Sequence, residues 1–198
     1  MRRKRMIAVN KYVNQQHLLQ YSLDEQLIHG MRVSNLAYQV AKELGDPEEF
    51  CHDLAVAGML HDIGKEAVSE DLDDMDAPLI VEEIHYVRLH AQASYEILKA
   101  KGYKESILLA VRHHHENYDG SGYPDNLSGE GIPLGARIIR VCDVYAALTS
   151  DRPYRKAFDK QSAVQMMIEE IKDFDVKVFL AFQRMIHKNK EKEITLWH

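Results

Sequence analysis

His61-Asp62-Ile63-Gly64-Lys65 ends a helical pattern with an imidazole, a carboxylate, a glycine and an amine inside five positions. The pair supplies one nitrogen ligand and one oxygen ligand able to bridge two cations; the glycine lets the backbone turn, and the lysine can face a phosphate. Upstream, Asp46-Pro47-Glu48-Glu49 opens this helix with an N-cap, a proline in the first turn and acids at the positive dipole end. Before it, Ser22-Leu23-Asp24-Glu25 is a capping-box pattern, and Leu27, Met31, Val33, Leu36, Val40 and Leu44 recur at helical spacing up to Gly45. Downstream, an acidic connector covers 69–78, and helical patterns resume over 80–101, 104–117, 135–150 and 161–189. The stretch 118–133 carries Gly120, Gly122, Pro124, Gly129, Gly131 and Pro133 without helical periodicity, so it is a long loop. Loops of that length in a compact domain are usually functional. No useful strand alternation occurs. The expected fold is all-α: a single helical bundle at 21–189 with one long Gly/Pro-rich loop, an N-terminal helical extension at 1–20 and a tail at 190–198.

A chain of 198 residues suits one domain. Its two cysteines, Cys51 and Cys142, exclude a disulfide framework and a cysteine-rich zinc fold. No apolar run reaches the ~18–20 residues that cross a bilayer, and Asn10 and Lys11 interrupt any signal-peptide core after Arg2-Arg3-Lys4-Arg5. A cytoplasmic location and no membrane span are therefore expected. The net charge of −6 argues against DNA as a partner. The eleven histidines, mostly among carboxylates, point instead to metal chemistry. Histidine and carboxylate without cysteine is the donor set of catalytic iron, manganese or zinc. Glu25 and His29, four apart, share a helix face; His90 begins a run, His113-His114-His115-Glu116 ends another, and Asp143 follows the loop. His52-Asp53 repeats the pair nine residues upstream of His61-Asp62, about 180° around the helix, and lacks the glycine and lysine; it is expected on the exposed surface.

His61-Asp62-Ile63-Gly64-Lys65, His114-His115-Glu116 and Asp119-Gly120-Ser121-Gly122-Tyr123-Pro124, in this order, resemble the HD-GYP family of cyclic dinucleotide phosphodiesterases. Ile132-Pro133, Ala136-Arg137-Ile138, Cys142-Asp143-Val144 and the run from Ala147 to Arg155 extend the resemblance over about 25–183. It implies an HD-superfamily helical bundle with metal ligands at His29, His61, Asp62, His90, His114, His115 and Asp143, and a third-metal ligand at Glu25, whose competing role is the capping box. It also implies a phosphate-facing Lys65, substrate contacts from Arg152 and Arg155, and two or three divalent ions, iron or manganese. The implied substrate is cyclic di-GMP, cut to pGpG or GMP by a hydroxide bridging the metals on Asp62. Gly122, Tyr123 and Pro124 frame the site and are linked in the family to a diguanylate cyclase partner.

The chain departs from the family at Met75 and Asn117, where lysine and arginine are usual, and at Ala146, where aspartate is usual; substrate choice is where these would tell. Among other polar residues, Arg32 is expected to steady a neighbouring carboxylate, Cys142 to pack, His113 not to ligate, and His85 to be exposed. Residues 1–20 are too few for a receiver domain, so regulation is expected from elsewhere. Competing expectations are another HD-type nucleotide phosphohydrolase and a non-catalytic cyclic dinucleotide sensor or scaffold. Because imidazoles must be neutral to ligate, activity and metal retention are expected to fall together below about pH 6.

Overall fold

The structure, a computed structural model, describes residues 23–67, 80–151 and 155–195. The extension at 1–20, Ser22, the acidic connector with Met75, and Arg152 lie outside the described residues, as does the side chain of His85. The described elements are helices: α1 (Leu23–Leu44), α2 (Glu48–Leu60), α3 (Ile80–Ala100), α4 (Glu105–Arg112), α5 (Leu134–Leu148), α6 (Lys160–Glu169) and α7 (Val176–Thr195), with 3-10 turns at Gly129–Gly131 and Ile171–Asp173. No strand element occurs among the described residues, and none of their helices is long and apolar enough to cross a membrane.

Helix α1 packs against α2, α5 and α7, and α4 closes the bundle against α2, α3 and α5. Its inward stripe is Val33, Ala37, Val40 and Ala41, all without solvent exposure, at i, i+4, i+7 and i+8. The apolar pattern does not bury throughout, however. Leu27 and Met31 are exposed, because His29 and Gly30 hold the inward position in that turn. The first polar cluster is thus built where the hydrophobic stripe gives way to histidine. Gly45 ends α1 as expected: its N–H bonds Lys42 O and the next N–H, of Asp46, bonds Ala41 O, so two terminal carbonyls are satisfied. Pro47 rather than Asp46 takes the N-cap position of α2.

The expected helix over 161–189 is two helices. Asp175 stops the run: its Oδ1 accepts from the N–H groups of Lys177 and Val178, capping α7, while Oδ2 accepts from Arg137 at 2.5 Å. Asp159 caps α6 through the N–H groups of Gln161 and Ser162. Val178, Phe179, Phe182 and Met185 of α7 belong to the core, with Phe182 edge-on to Tyr145 at 4.8 Å, and Ala146 is fully buried. The helix expected over 104–117 stops at Arg112, because His113–His115 form a turn whose side chains consume the end of the helix.

Candidate metal centre

His61 and His114 share a local logic. Each follows the last turn of a helix, where carbonyls lack intrahelical partners. The Nδ1 of His61 bonds Gly58 O at 2.9 Å, and that of His114 bonds Val111 O at 2.5 Å, three residues back in both cases. These carbonyls put the ring proton on Nδ1 and leave the Nε2 lone pair directed away from the helix, the arrangement of a ligating imidazole.

Around them the bundle collects two groups of donor atoms, each with its members within 4.8 Å of one another: His29, His61 and Asp143, and Asp62, His90, His114 and His115. Helix α1 supplies His29, the end of α2 supplies His61 and Asp62, α3 His90, the end of α4 His114 and His115, and α5 Asp143. In the first group Asp143 Oδ1 lies 3.0 Å from His29 Nε2 and 3.8 Å from His61 Nε2. In the second Asp62 Oδ1 lies 3.2 Å from His90 Nε2 and 3.9 Å from His114 Nε2, while His90 Nε2 stands 3.3 and 3.1 Å from the Nε2 atoms of His114 and His115. Asp62 joins the groups, since its other oxygen, Oδ2, is 3.3 Å from His61 Nε2 and accepts from Lys65 Nζ at 2.5 Å.

Three imidazole nitrogens facing each other at 3.1–3.3 Å need a cation or a proton between their lone pairs. His61 Nε2 and Asp62 Oδ1 are buried and make no hydrogen bond. Two atoms each ~2.1 Å from one ion stand about 3.0–4.2 Å apart, and the separations above fall in that span. These residues fit divalent metal.

Charge is distributed to match. Burial opposes ionisation of Asp62, but His61, Lys65 and His90 hold it well below the usual carboxylate range. Burial likewise opposes ionisation of Asp143, and His29 and His61 outweigh it. Burial and neighbouring imidazoles push His114 and His115 well below ordinary histidine, so they stay neutral. His61 goes the other way: burial would lower it, yet Asp62 and Asp143 raise it to about 10. A proton on His61 therefore competes with metal through neutral pH and up to about pH 10, not only below pH 6. Metal loading at pH 7.5 is expected to release about one proton per chain from this ring, with apparent affinity rising as pH rises toward 10. Indicator-dye stopped-flow in weak buffer checks this; loading with no proton release contradicts it.

The centre opens to solvent through a cleft of about 160 Å³ lined by Glu25, Gln26, His29, Asp62, Lys65, Asp143 and Ala147. Glu25 is thus at the mouth, outside both donor groups. A larger apolar groove, lined by Leu60, Ile63, Ile97, Leu98 and Tyr103 among others, holds none of the expected ligands. Over the His115 side lies the loop. Tyr123 stacks on His115 at 4.7 Å, and the Arg88 guanidinium sits 5.3 Å from the Tyr123 ring centroid. Gly122 permits this: a Cβ there would stand 2.5 Å from His115 O and from Glu116 Cα.

Other expected residues sit differently. Arg155 donates to the carbonyls of Ala147, Leu148, Ser150 and Lys156, so its guanidinium caps the end of α5. Among the described residues Arg32 bonds no carboxylate; it donates to Thr149 O and to the hydroxyls of Thr149 and Ser150. His52 is exposed, but Asp53 is buried and accepts from Lys104 at 3.0 Å and Ser106 at 2.7 Å, because its turn of α2 faces the start of α4. Asn117 accepts from both Nε and Nη2 of Arg140, at 3.1 and 2.9 Å. Cys142 is packed in the core, and burial raises its thiol pKa. A third donor group, His113, Glu116 and Asp125, lies outside the expected ligand set; the adjacency His113-His114-His115-Glu116 is its sequence signal.

A family model described as an HD domain matches residues 9–178. Among curated proteins, the cyclic di-GMP phosphodiesterase PA4108 of Pseudomonas aeruginosa is 38% identical over 160 residues, 80% of this chain and 39% of its own. The cyclic di-GMP phosphodiesterase response regulator RpfG of Xanthomonas campestris is 41% identical over 136 residues, 67% of this chain and 36% of its own. The 3'3'-cGAMP-specific phosphodiesterase 1 of Vibrio cholerae is 34% identical over 143 residues, 72% of this chain and 33% of its own. The chain thus spans less than two-fifths of the length of each of these relatives. In fold it is similar to Bd1817, an HDG"Y"P protein from Bdellovibrio bacteriovorus, with TM-score 0.64 and 19% identity over 82% of this chain and 52% of that one. The cyclic GMP-AMP specific phosphodiesterase V-cGAP3 of V. cholerae gives 0.62 and 17% over 80% of this chain and 44% of that one.

Proposed function

Because the chain belongs to the HD-domain family, in its HD-GYP branch, we propose that it is a metal-dependent phosphodiesterase that opens cyclic di-GMP to pGpG or on to GMP. The observation that carries this reading is Asp62, whose two oxygens face two separate groups of donors beside a solvent-open cleft. His29, His61 and Asp143 would hold one divalent ion, and His90, His114 and His115 another, with Asp62 shared; iron or manganese is the expected identity. Bound ions supply Lewis acidity toward a phosphoryl group and lower the pKa of water.

The protein's own groups do the rest. The Gly58 and Val111 carbonyls hold His61 and His114 in their ligating tautomers. Tyr123 fixes the plane of His115 from the loop side. Lys65, on Asp62 and on the cleft wall, is placed to transfer a hydrogen bond to a phosphoryl oxygen of the substrate. Arg152 remains the expected contact for the second phosphate, a role for which Arg155, engaged with four carbonyls, has less support. The Tyr123 ring lies against His115 and Arg88, which supports a part in the centre; contact of the Gly122-Tyr123-Pro124 element with a diguanylate cyclase is a second role proposed from the family.

The test is turnover of cyclic di-GMP, cyclic GMP-AMP, pGpG and diadenosine tetraphosphate by protein loaded anaerobically with iron or manganese. Cyclic di-GMP hydrolysis stopped by a chelator is expected; no turnover of either cyclic dinucleotide by metal-loaded protein rejects the reading. If Glu25 at the cleft mouth holds a further ion for the second cut, Glu25→Ala should accumulate pGpG. Equal GMP yield from both proteins removes that role.

A further inference from the structure

We propose that His113, Glu116 and Asp125 form a separate binding site for one divalent first-row cation, zinc or manganese, that latches the 118–133 loop to the end of α4. The three residues offer donor atoms within 4.8 Å of one another and share no member with the two groups described above. His113 Nδ1 lies 3.6 Å from Asp125 Oδ2 and 3.9 Å from Glu116 Oε1. Two ligands at ~2.1 Å from one ion stand about 3.4 Å apart at the tetrahedral angle, so the two His113 separations need to close by no more than about half an ångström.

The polar atoms here lack what burial normally demands. His113 is 6% exposed and Glu116 2%, yet His113 Nδ1 and Glu116 Oε2 have no hydrogen-bond partner. A buried imidazole nitrogen without a partner, beside two carboxylates, is a donor set for a borderline cation. The remaining atoms are engaged in ways that leave this position open. Glu116 Oε1 accepts the N–H of Asp125 at 2.7 Å, which brings the two acids together. Asp125 Oδ1 takes Arg112 at 3.1 Å, leaving Oδ2 toward His113. Asp125 is exposed, so an ion can enter from solvent. The nearby guanidinium repels a cation, which makes this a weaker, more exchangeable site than the main centre.

Its consequence runs through the loop. Asp125 is two residues from Tyr123, and Tyr123 stacks on His115. An ion shared by His113, Glu116 and Asp125 would restrain that segment at both ends. The experiment is zinc titration of the chelated chain, with bound zinc counted by atomic emission and backbone hydrogen exchange followed over 118–127. Asp125→Asn and His113→Gln should each bind about one ion fewer than the natural chain, and should lose the zinc-dependent slowing of exchange. Asp62→Asn, directed at the main centre, should lose ions there but keep the zinc-dependent slowing of exchange over 118–127, which separates this site from the proposed active site. Equal zinc counts in the natural chain and Asp125→Asn overturn the proposal. Because Asp125 is exposed, that variant tests it even where His113→Gln fails to fold.

Discussion

Asp62→Asn is expected to abolish cyclic dinucleotide hydrolysis, by at least ~10³-fold, and to lower metal retention at both donor groups. Removing an outer partner of a metal ligand typically costs ~10–100-fold, and the role proposed for Asp62 is that of a ligand itself. Its Oδ1 faces His90 and His114, and its Oδ2 faces His61 and Lys65. Asparagine keeps the shape but removes the charge and turns one acceptor into a donor aimed at imidazole nitrogens. The same change alters the proton balance. Burial disfavours the His61 cation, and Asp62 is the largest influence opposing it. In metal-free Asp62→Asn, His61 should therefore titrate below the value of about 10 set by the natural cluster. Metal counting, turnover and a histidine NMR titration check the three consequences. A variant that keeps a tenth of the natural rate would remove Asp62 from the centre of the mechanism.

Gly64→Ala is expected to destabilise the chain by ~1–3 kcal/mol, the usual cost of overpacking. For a domain of this size that corresponds to a Tm lower by roughly 2–12 °C. A Cβ on Gly64 would stand 2.5 Å from His90 O and from Ser94 N, and 2.9 Å from the Ala93 Cβ. The contacts are to helix backbone, so α3 as a whole must retreat, and the bond from Gly64 N–H to Ser94 Oγ, now 2.9 Å, is strained with it. His90 rides on that helix and sits 3.2 Å from Asp62. Misplacing a reacting group by ~1 Å can cost ~10² in rate, so activity should fall by that order even in molecules that remain folded. Gly131→Ala is the control, since nothing lies within 4 Å of a Cβ there. Melting curves and turnover of both variants decide the matter. Equal Tm values for Gly64→Ala and the natural chain would mean that α3 is not held against the His-Asp turn as closely as described.

Local order in the chain determined the helical class, the long loop and the chemical character of the centre. Periodic apolar residues, a helix-ending glycine at 45 and the run His61-Asp62-Ile63-Gly64-Lys65 are local signals, and each acts through its own few residues. Donor type is equally local, since imidazole and carboxylate bring their metal preference wherever they are placed. The gathering of His29, His61, His90, His114 and Asp143 into two groups could not be read from spacing alone, because no periodic rule links residues on five separate segments. Packing of α1, α3 and α5 around the ends of α2 and α4 decided it. The same packing decided where expectation failed. Leu27 and Met31 face solvent because histidine takes the inward position, and Asp53 is buried because α4 covers it. Arg155 caps carbonyls because α5 ends beside it. The pairing of His113 with Asp125 required a loop to fold back across twelve residues, and backbone N–H groups that bond a buried glutamate are visible only once the fold exists.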